Sequence, residues 1–148
     1  MMLTTKGRYA VMAILEMALR STDKPITLAE ISSKQNISVN YLEQIFAKLK
    51  KANLVKSIKG PKGGYVFNTT LNEIKISNIM DAVDENIEMT KCYQKLTNQD
   101  STKACMPNKV KCNSHHLWLG LTSHIRNYFE KISIADIVLN NYNKSKFM

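Results

Sequence analysis

Apolar residues recur at helical spacing from the start of the chain. Between Leu3 and Leu19 the positions Tyr9, Val11, Met12, Ile14, Leu15, Ala18 and Leu19 predict a first helix with one broad apolar face. Ser21 to Pro25 ends that pattern. Thr27 stands three residues before Glu30, the spacing of a capping box, and predicts a short helix through Ala29, Ile31 and Ser32. Asn36-Ile37 reads as a turn, and Ser38 as the cap of a further helix whose stripe Tyr41, Leu42, Ile45, Phe46 and Leu49 ends near Lys51. The period then changes. Leu54 to Ile58 and Tyr65 to Phe67 read as strands joined by the turn Lys59-Gly60-Pro61-Lys62-Gly63-Gly64. A basic hairpin directly after a helix-turn-helix reads as a wing.

A fourth helix is predicted over Ile74 to Val83, with Ile76, Ile79, Met80 and Val83 on its apolar side. From Asn86 to Asn113 the chain is polar and without period, and a loop that long in a compact chain needs a reason that a bound metal would supply. Helical spacing returns over Ser114 to Lys131 through Trp118, Leu121, Ile125, Tyr128 and Phe129, continuing to Ile132; Ser133 precedes a last piece, Ile134 to Leu139. The fold class expected is mainly α with a small β-hairpin wing, a winged helix-turn-helix plus a long dimerisation helix.

Charge sharpens this picture. The chain of 148 residues has a formal net charge of +9. Residues 1–68 hold 11 Lys/Arg against 4 Asp/Glu, whereas residues 69–148 hold 10 against 8. The excess lies in the half that carries the helix pair and the hairpin, which favours a polyanionic partner for that half. No apolar run approaches the roughly 20 residues of a spanning helix, and Lys6, Arg8, Glu16 and Arg20 interrupt the first helix, so neither a membrane segment nor a signal peptide is expected. A cytoplasmic location follows. Three cysteines, an odd number, then point to metal or reactive thiol chemistry rather than to a disulfide framework.

Two sets of residues carry candidate chemistry. In the second helix of the pair, Ser38, Asn40, Tyr41, Glu43 and Gln44 lie near the N-terminus, where a recognition helix presents side chains to base edges. Glutamine pairs with adenine and glutamate accepts from the cytosine amino group, while Lys48, Lys50 and Lys51 add charge only. At the hairpin tip Lys59, Pro61 and Lys62 combine charge with little bulk, a shape suited to a minor groove or a phosphate ridge. The second set is Cys92-x12-Cys105-x6-Cys112-x2-His115. Three thiolates and an imidazole make one four-donor site for zinc, copper(I) or iron-sulfur iron, and single cysteines offered by an open loop differ from the paired knuckles of most structural zinc sites. His116 and His124 read as surface or interface residues. With no Ser/His/Asp set, paired-carboxylate pattern or phosphate-binding glycine loop, an enzyme is not expected.

Four separated motifs, Leu3-Thr4-Thr5-Lys6-Gly7-Arg8-Tyr9-Ala10-Val11, Ile37-Ser38-Val39-Asn40-Tyr41-Leu42-Glu43-Gln44, Gly60-Pro61-Lys62-Gly63-Gly64-Tyr65 and Ala82-Val83-Asp84-Glu85, occur in order with the cysteine segment. Together they closely resemble the winged-helix iron-sulfur cluster regulators of the IscR family, from Leu3 to about Asn141. The resemblance implies a homodimeric bacterial transcription regulator holding a [2Fe-2S] cluster on Cys92, Cys105, Cys112 and His115. It also implies that Glu43 makes DNA choice depend on cluster occupancy, and that Ser38, Tyr41 and Gln44 read bases or backbone. Two departures are visible: the Cys92 to Cys105 interval is longer than in typical members, and Lys59 stands where arginine is usual.

The organisation expected is therefore a winged helix-turn-helix DNA-binding domain over residues 1–85 and a cluster-binding loop over 86–113. A dimerisation helix with a C-terminal helix follows over 114–141, and a basic tail over 142–148. Double-stranded DNA carrying a pseudo-palindromic operator, a second copy of the chain and cluster-assembly or carrier proteins are the partners implied, with no membrane. The function implied is control of cluster-assembly genes, by repression and in some cases activation. The alternatives are a nitric-oxide or redox-sensing repressor with a different iron-sulfur cluster, and a metal-stabilised protein-protein adaptor.

Overall fold

The structure is a computed structural model, and it describes residues 3–20, 23–88 and 112–139. These fall into two compact units, one built from residues 3–85 and 129–139 and the other from residues 86–88 and 112–128. In the first unit lie helices α1 (Thr5–Leu19), α2 (Leu28–Gln35) and α3 (Val39–Lys51), strands β1 (Val55–Ile58) and β2 (Gly64–Phe67), and helix α4 (Ile76–Ala82). Helix α5 (His115–Lys131) opens in the second unit, and α6 (Ile134–Val138) belongs to the first. The mainly α architecture with one two-stranded antiparallel hairpin is the fold class read from the pattern.

Each helix of the pair begins and ends for a local reason. Thr27 and Glu30 close the capping box: the Thr27 Oγ1 accepts from the Glu30 N–H at 3.2 Å and the Glu30 carboxylate accepts from the Thr27 N–H at 2.8 Å. Asn36 ends α2 in the left-handed conformation, φ 54°, which asparagine tolerates better than most residues. Ser38 Oγ accepts from the Tyr41 N–H at 3.3 Å and so starts α3. At the far end Asn53 turns left-handed, φ 60°, with Asn53 N–H donating to Lys50 O and Leu54 N–H to Leu49 O, the Schellman pattern. Leu49 and Leu54 are both buried there, so the turn delivers the chain into β1 over an apolar contact.

The core of the first unit collects one face from each of α1, α2, α3, α4 and α6. Ala10, Ala13 and Ile14 of α1, Ile31 of α2, Leu42, Ile45, Phe46 and Leu49 of α3 and Ile79 of α4 are buried together with Val55, Ile74 and Ile134. Phe46 meets Tyr65 of the wing with ring centroids 4.7 Å apart, so the hairpin and α3 share packing. Helix α4 starts two residues later than the apolar pattern predicts. Lys75 is extended and bridges Ser133, with Ile76 N–H donating to Ile132 O and Ile134 N–H to Ile74 O. Ile74 thus serves the core from the extended segment before α4, and Ile132, read as part of the long helical stripe, is buried with it.

Helix α1 has an unusual start. Thr4 is its N-cap but makes no side-chain cap bond, and the residue at the third helical position is glycine rather than glutamate. The missing acceptor comes from Glu85, buried with 7% of its surface exposed. Its carboxylate accepts from the Thr4 N–H at 2.9 Å, from the Thr4 hydroxyl and from the Gly7 N–H at 3.0 Å. Burial alone would raise the pKa of this carboxyl, but the Thr4 and Gly7 donors outweigh it and hold Glu85 below the usual glutamate range. A Cβ on Gly7 would lie 2.6 Å from the Glu85 Oε2, so position 7 has no room for a side chain.

Gly7→Ala is expected to cost about 1–3 kcal/mol through this clash. Glu85→Gln is expected to cost about 1–2 kcal/mol at neutral pH through the weakened cap. Because the folded carboxyl is held below its unfolded value, its stabilisation is present at neutral pH and fades as acid protonates it. The gap in melting temperature between the parent and Glu85→Gln should narrow below about pH 4; a gap independent of pH would refute this account of α1.

Candidate nucleic-acid interface and metal centre

Helix α3 presents the predicted reading residues as one surface. Ser38, Asn40, Glu43 and Gln44 are exposed in its first two turns, because Leu42, Ile45, Phe46 and Leu49 turn the opposite face into the core. Tyr41 is half-buried, its ring set edge-on to Tyr9 of α1 at 5.7 Å between centroids. That contact fixes the phenol at the border between the reading surface and α1. Lys48 lies one turn beyond Gln44 on the same stripe. Its Nζ is 2.6 Å from the Asp84 Oδ2, so the lysine assigned to phosphate contact already has an anionic partner.

Asp84 reaches that position through the end of α4. Glu85 N–H donates to Met80 O and Asp84 N–H to Asp81 O, with Asp84 left-handed at φ 53°, a second Schellman turn. The turn sends two adjacent carboxylates to different helices: Asp84 to Lys48 of α3 and Glu85 to the start of α1. Lys6 of α1 joins the first contact, its Nζ donating to Asp84 O at 3.1 Å. The Lys48 ammonium, by hydrogen bond and by charge, holds the Asp84 carboxyl below the usual aspartate range, with smaller pulls from Lys6 and Lys51. Neither carboxylate was assigned a role in the sequence. A signal existed: Thr4 opens a helix with no acidic residue three positions on, so an acceptor from elsewhere is required.

The wing is held at both ends. Val55 pairs with Phe67 and Ile58 with Gly64, and Tyr65 also exchanges backbone hydrogen bonds with Ile26, N–H to O distances of 2.8 and 3.0 Å, which adds a single antiparallel bridge to the hairpin. Pro61 occupies the second position of the tip turn closed by Gly63 N–H to Gly60 O at 2.9 Å. Lys59, Pro61 and Lys62 are exposed on that tip. Gly64 has φ 151°, and a Cβ there would stand 2.4 Å from Ile26 O. Only glycine lets the strand approach the Ile26 backbone so closely.

Of the four predicted metal donors, Cys92 and Cys105 lie outside the described residues. Cys112 and His115 are described and sit together at the opening of α5, the His115 N–H donating to Cys112 O at 3.0 Å. Cys112 is a free, half-buried thiol with its Sγ 3.5 Å from the Ser114 Oγ. Ser114 in turn accepts from Trp118 Nε1 at 3.0 Å. His115 has 5% of its surface exposed, and its buried Nε2 has no hydrogen-bond partner among the described residues. An unsatisfied buried polar atom costs about 1–3 kcal/mol, so a nitrogen left this way calls for a partner, and a metal ion is one that imidazole takes readily. A thiol three positions ahead of such an imidazole fits an iron or zinc donor set. His116 and His124 are exposed on α5.

A helix pair with an exposed polar reading face, followed by a basic wing packed on that helix, defines a winged-helix DNA-binding transcription regulator. Residues 3–140 match the Rrf2 family, described as iron-dependent transcriptional regulators, and the chain belongs to that family. It is 43% identical to the HTH-type transcriptional regulator IscR of Vibrio cholerae over 95% of its own length and 77% of that protein's. It is also 43% identical to IscR of Aliivibrio salmonicida, over 95% and 79%. Among solved structures, IscR of T. potens superposes with a TM-score of 0.73 at 26% identity, covering 98% of this chain and 90% of that one. CymR, the global cysteine regulator of B. subtilis, superposes with a TM-score of 0.76 at 24% identity, covering 95% and 98%, and bears on the fold alone. The family is one of transcription regulators, not enzymes. No helix among the described residues is long and apolar enough to cross a membrane.

Gly64→Ala should distort the wing by forcing β2 away from Ile26. A destabilisation of at least about 1 kcal/mol is expected, together with weaker binding to duplex DNA. Thermal melts and fluorescence anisotropy check the two effects; parental values in both would show that the wing does not need this approach.

Proposed function

We propose that this chain is a homodimeric, sequence-specific regulator of iron-sulfur cluster-assembly genes whose operator choice responds to a [2Fe-2S] cluster held by Cys92, Cys105, Cys112 and His115. The observation that carries the cluster assignment is the buried, unpartnered Nε2 of His115 beside Cys112 at the opening of α5. When bound, such a cluster supplies a centre whose occupancy follows iron and sulfide supply and whose charge changes by one electron on reduction. The similarity to the IscR proteins supports the same reading. An imidazole competes with protons for its metal, which makes one donor of the four weaker and suits a site that is filled and emptied.

On the DNA side the roles follow from side-chain chemistry. Ser38, Asn40, Tyr41 and Gln44 read base edges or adjacent backbone, Lys48, Lys59 and Lys62 meet phosphate, and Pro61 shapes the tip that enters the minor groove. Glu43 is exposed among them, a carboxylate facing a polyanion. It is tolerated where a cytosine amino group can donate to it and repelled elsewhere, so it filters operators. On α5, Leu117 and Leu121 keep 64% and 37% of their surface exposed, which supports a second copy of the chain as the partner of that helix. Two recognition helices in such a dimer suit a pseudo-palindromic operator.

Purification without oxygen, followed by iron and sulfide analysis with visible and EPR spectroscopy, tests the cluster. Iron and acid-labile sulfide in equal amounts are expected. His115→Ala should lose or weaken the cluster while leaving a folded protein that still binds DNA; stoichiometric zinc without sulfide would refute the assignment. Glu43→Ala should relax the difference in operator choice between protein with and without the cluster, read by anisotropy on two operator types. Equal discrimination before and after the substitution would remove Glu43 from the mechanism.

A further inference from the structure

The contact between α4 and the two helices on the DNA side places an anion where DNA would bring one. Lys6 of α1 and Tyr41, Gln44, Ile45 and Lys48 of α3 line a small cavity of about 90 Å³ at the edge of the reading surface. Lys48 meets the Asp84 carboxylate at 2.6 Å, and Lys6 meets the Asp84 carbonyl oxygen at 3.1 Å. The lysine side chain keeps 41% of its surface exposed and the aspartate 76%, so both partners of the pair are open to a third charged group. We propose that Asp84 is an intramolecular competitor for DNA phosphate, its carboxylate standing in for the backbone anion at Lys48 and being displaced when the duplex docks.

The charge balance supports exchange. Without Asp84, Lys48 would be an uncompensated cation one turn from Gln44, free to bind any polyanion. With Asp84 in place, a phosphate gains Lys48 only by breaking an exposed ion pair, which lowers affinity for every duplex by a modest factor. Weak indiscriminate binding leaves the base contacts to decide where the protein resides, since non-specific association rests on such phosphate contacts. The position also matters because Asp84 is followed directly by Glu85, which caps α1, so one tight turn governs a charge on α3 and the start of α1. The inference rests on α3 being the reading helix and not on the identity of the metal group.

The test uses the full-length protein and a labelled mixed-sequence duplex at low salt, read by anisotropy. Asp84→Asn is the variant of choice because asparagine accepts the left-handed conformation that this turn requires, so melting temperature should stay near the parent's. Binding should tighten by about two- to fivefold for each subunit that engages the DNA. In a Lys48→Met background the same substitution should bring little or no gain, because the competitor then has nothing to release. Unchanged or weaker binding by a folded Asp84→Asn protein would overturn the proposal. So would an equal gain in the Lys48→Met background, which would reduce the effect to bulk charge. Failure of the parent protein to bind any duplex would instead refute the DNA-binding reading itself.

Discussion

The buried Glu85 carboxylate holds the start of α1, and the position of everything that α1 touches follows from it. Three donors converge on this one side chain from Thr4 and Gly7, 81 and 78 residues away in sequence. A local capping residue secures a helix wherever the helix goes, whereas a remote one ties two elements into a fixed relation. Here the tie joins α1 to the end of α4. Because α1 carries Tyr9 against Tyr41 and Ala10, Ala13 and Ile14 into the core, its angle sets the depth at which α3 stands out of the unit. Gly7 is the complementary constraint, since any side chain there would occupy the space of the carboxylate.

The two left-handed turns at Asn53 and Asp84 divide labour in a similar way. Both close helices by the same pair of backbone hydrogen bonds, and both use residues whose short polar side chains tolerate positive φ. After Asn53 the chain becomes the wing. After Asp84 it becomes the polar segment that carries all three cysteines. The same device thus ends α3 before the wing and α4 before residue 86, and in each case the residue after the turn, Leu54 or Glu85, is buried in the first unit.

Much of this was legible in the sequence because it depends on neighbours. The Thr27/Glu30 box, the Ser38 cap, the stripe Leu42, Ile45, Phe46 and Leu49, and the Gly-Pro turn of the wing are all set by residues within a few positions of one another. Glu85 was legible only as part of a motif, because a carboxylate acting across most of a domain leaves no period. Ile74 and Ile132 were read as helical for the same reason: apolar spacing does not separate a helix residue from one that bridges a neighbouring segment through its backbone. The metal donors show both cases. Cys112 and His115 stand close together by sequence spacing, and the structure adds what spacing could not, a buried imidazole nitrogen without a partner.

The backbone pairing of Tyr65 with Ile26 has a consequence for the way DNA is read. Ile26 precedes the Thr27 cap of α2, and Tyr65 also packs on Phe46 of α3, so the wing is fastened to the helix pair close to its tip by hydrogen bonds and by ring contact. A wing anchored so near its tip behaves as a jaw of set gape rather than a flexible arm. The duplex, not the protein, must then supply the adjustment. Sequences that narrow or bend at low cost where the tip presses would be favoured even at base pairs that no side chain touches.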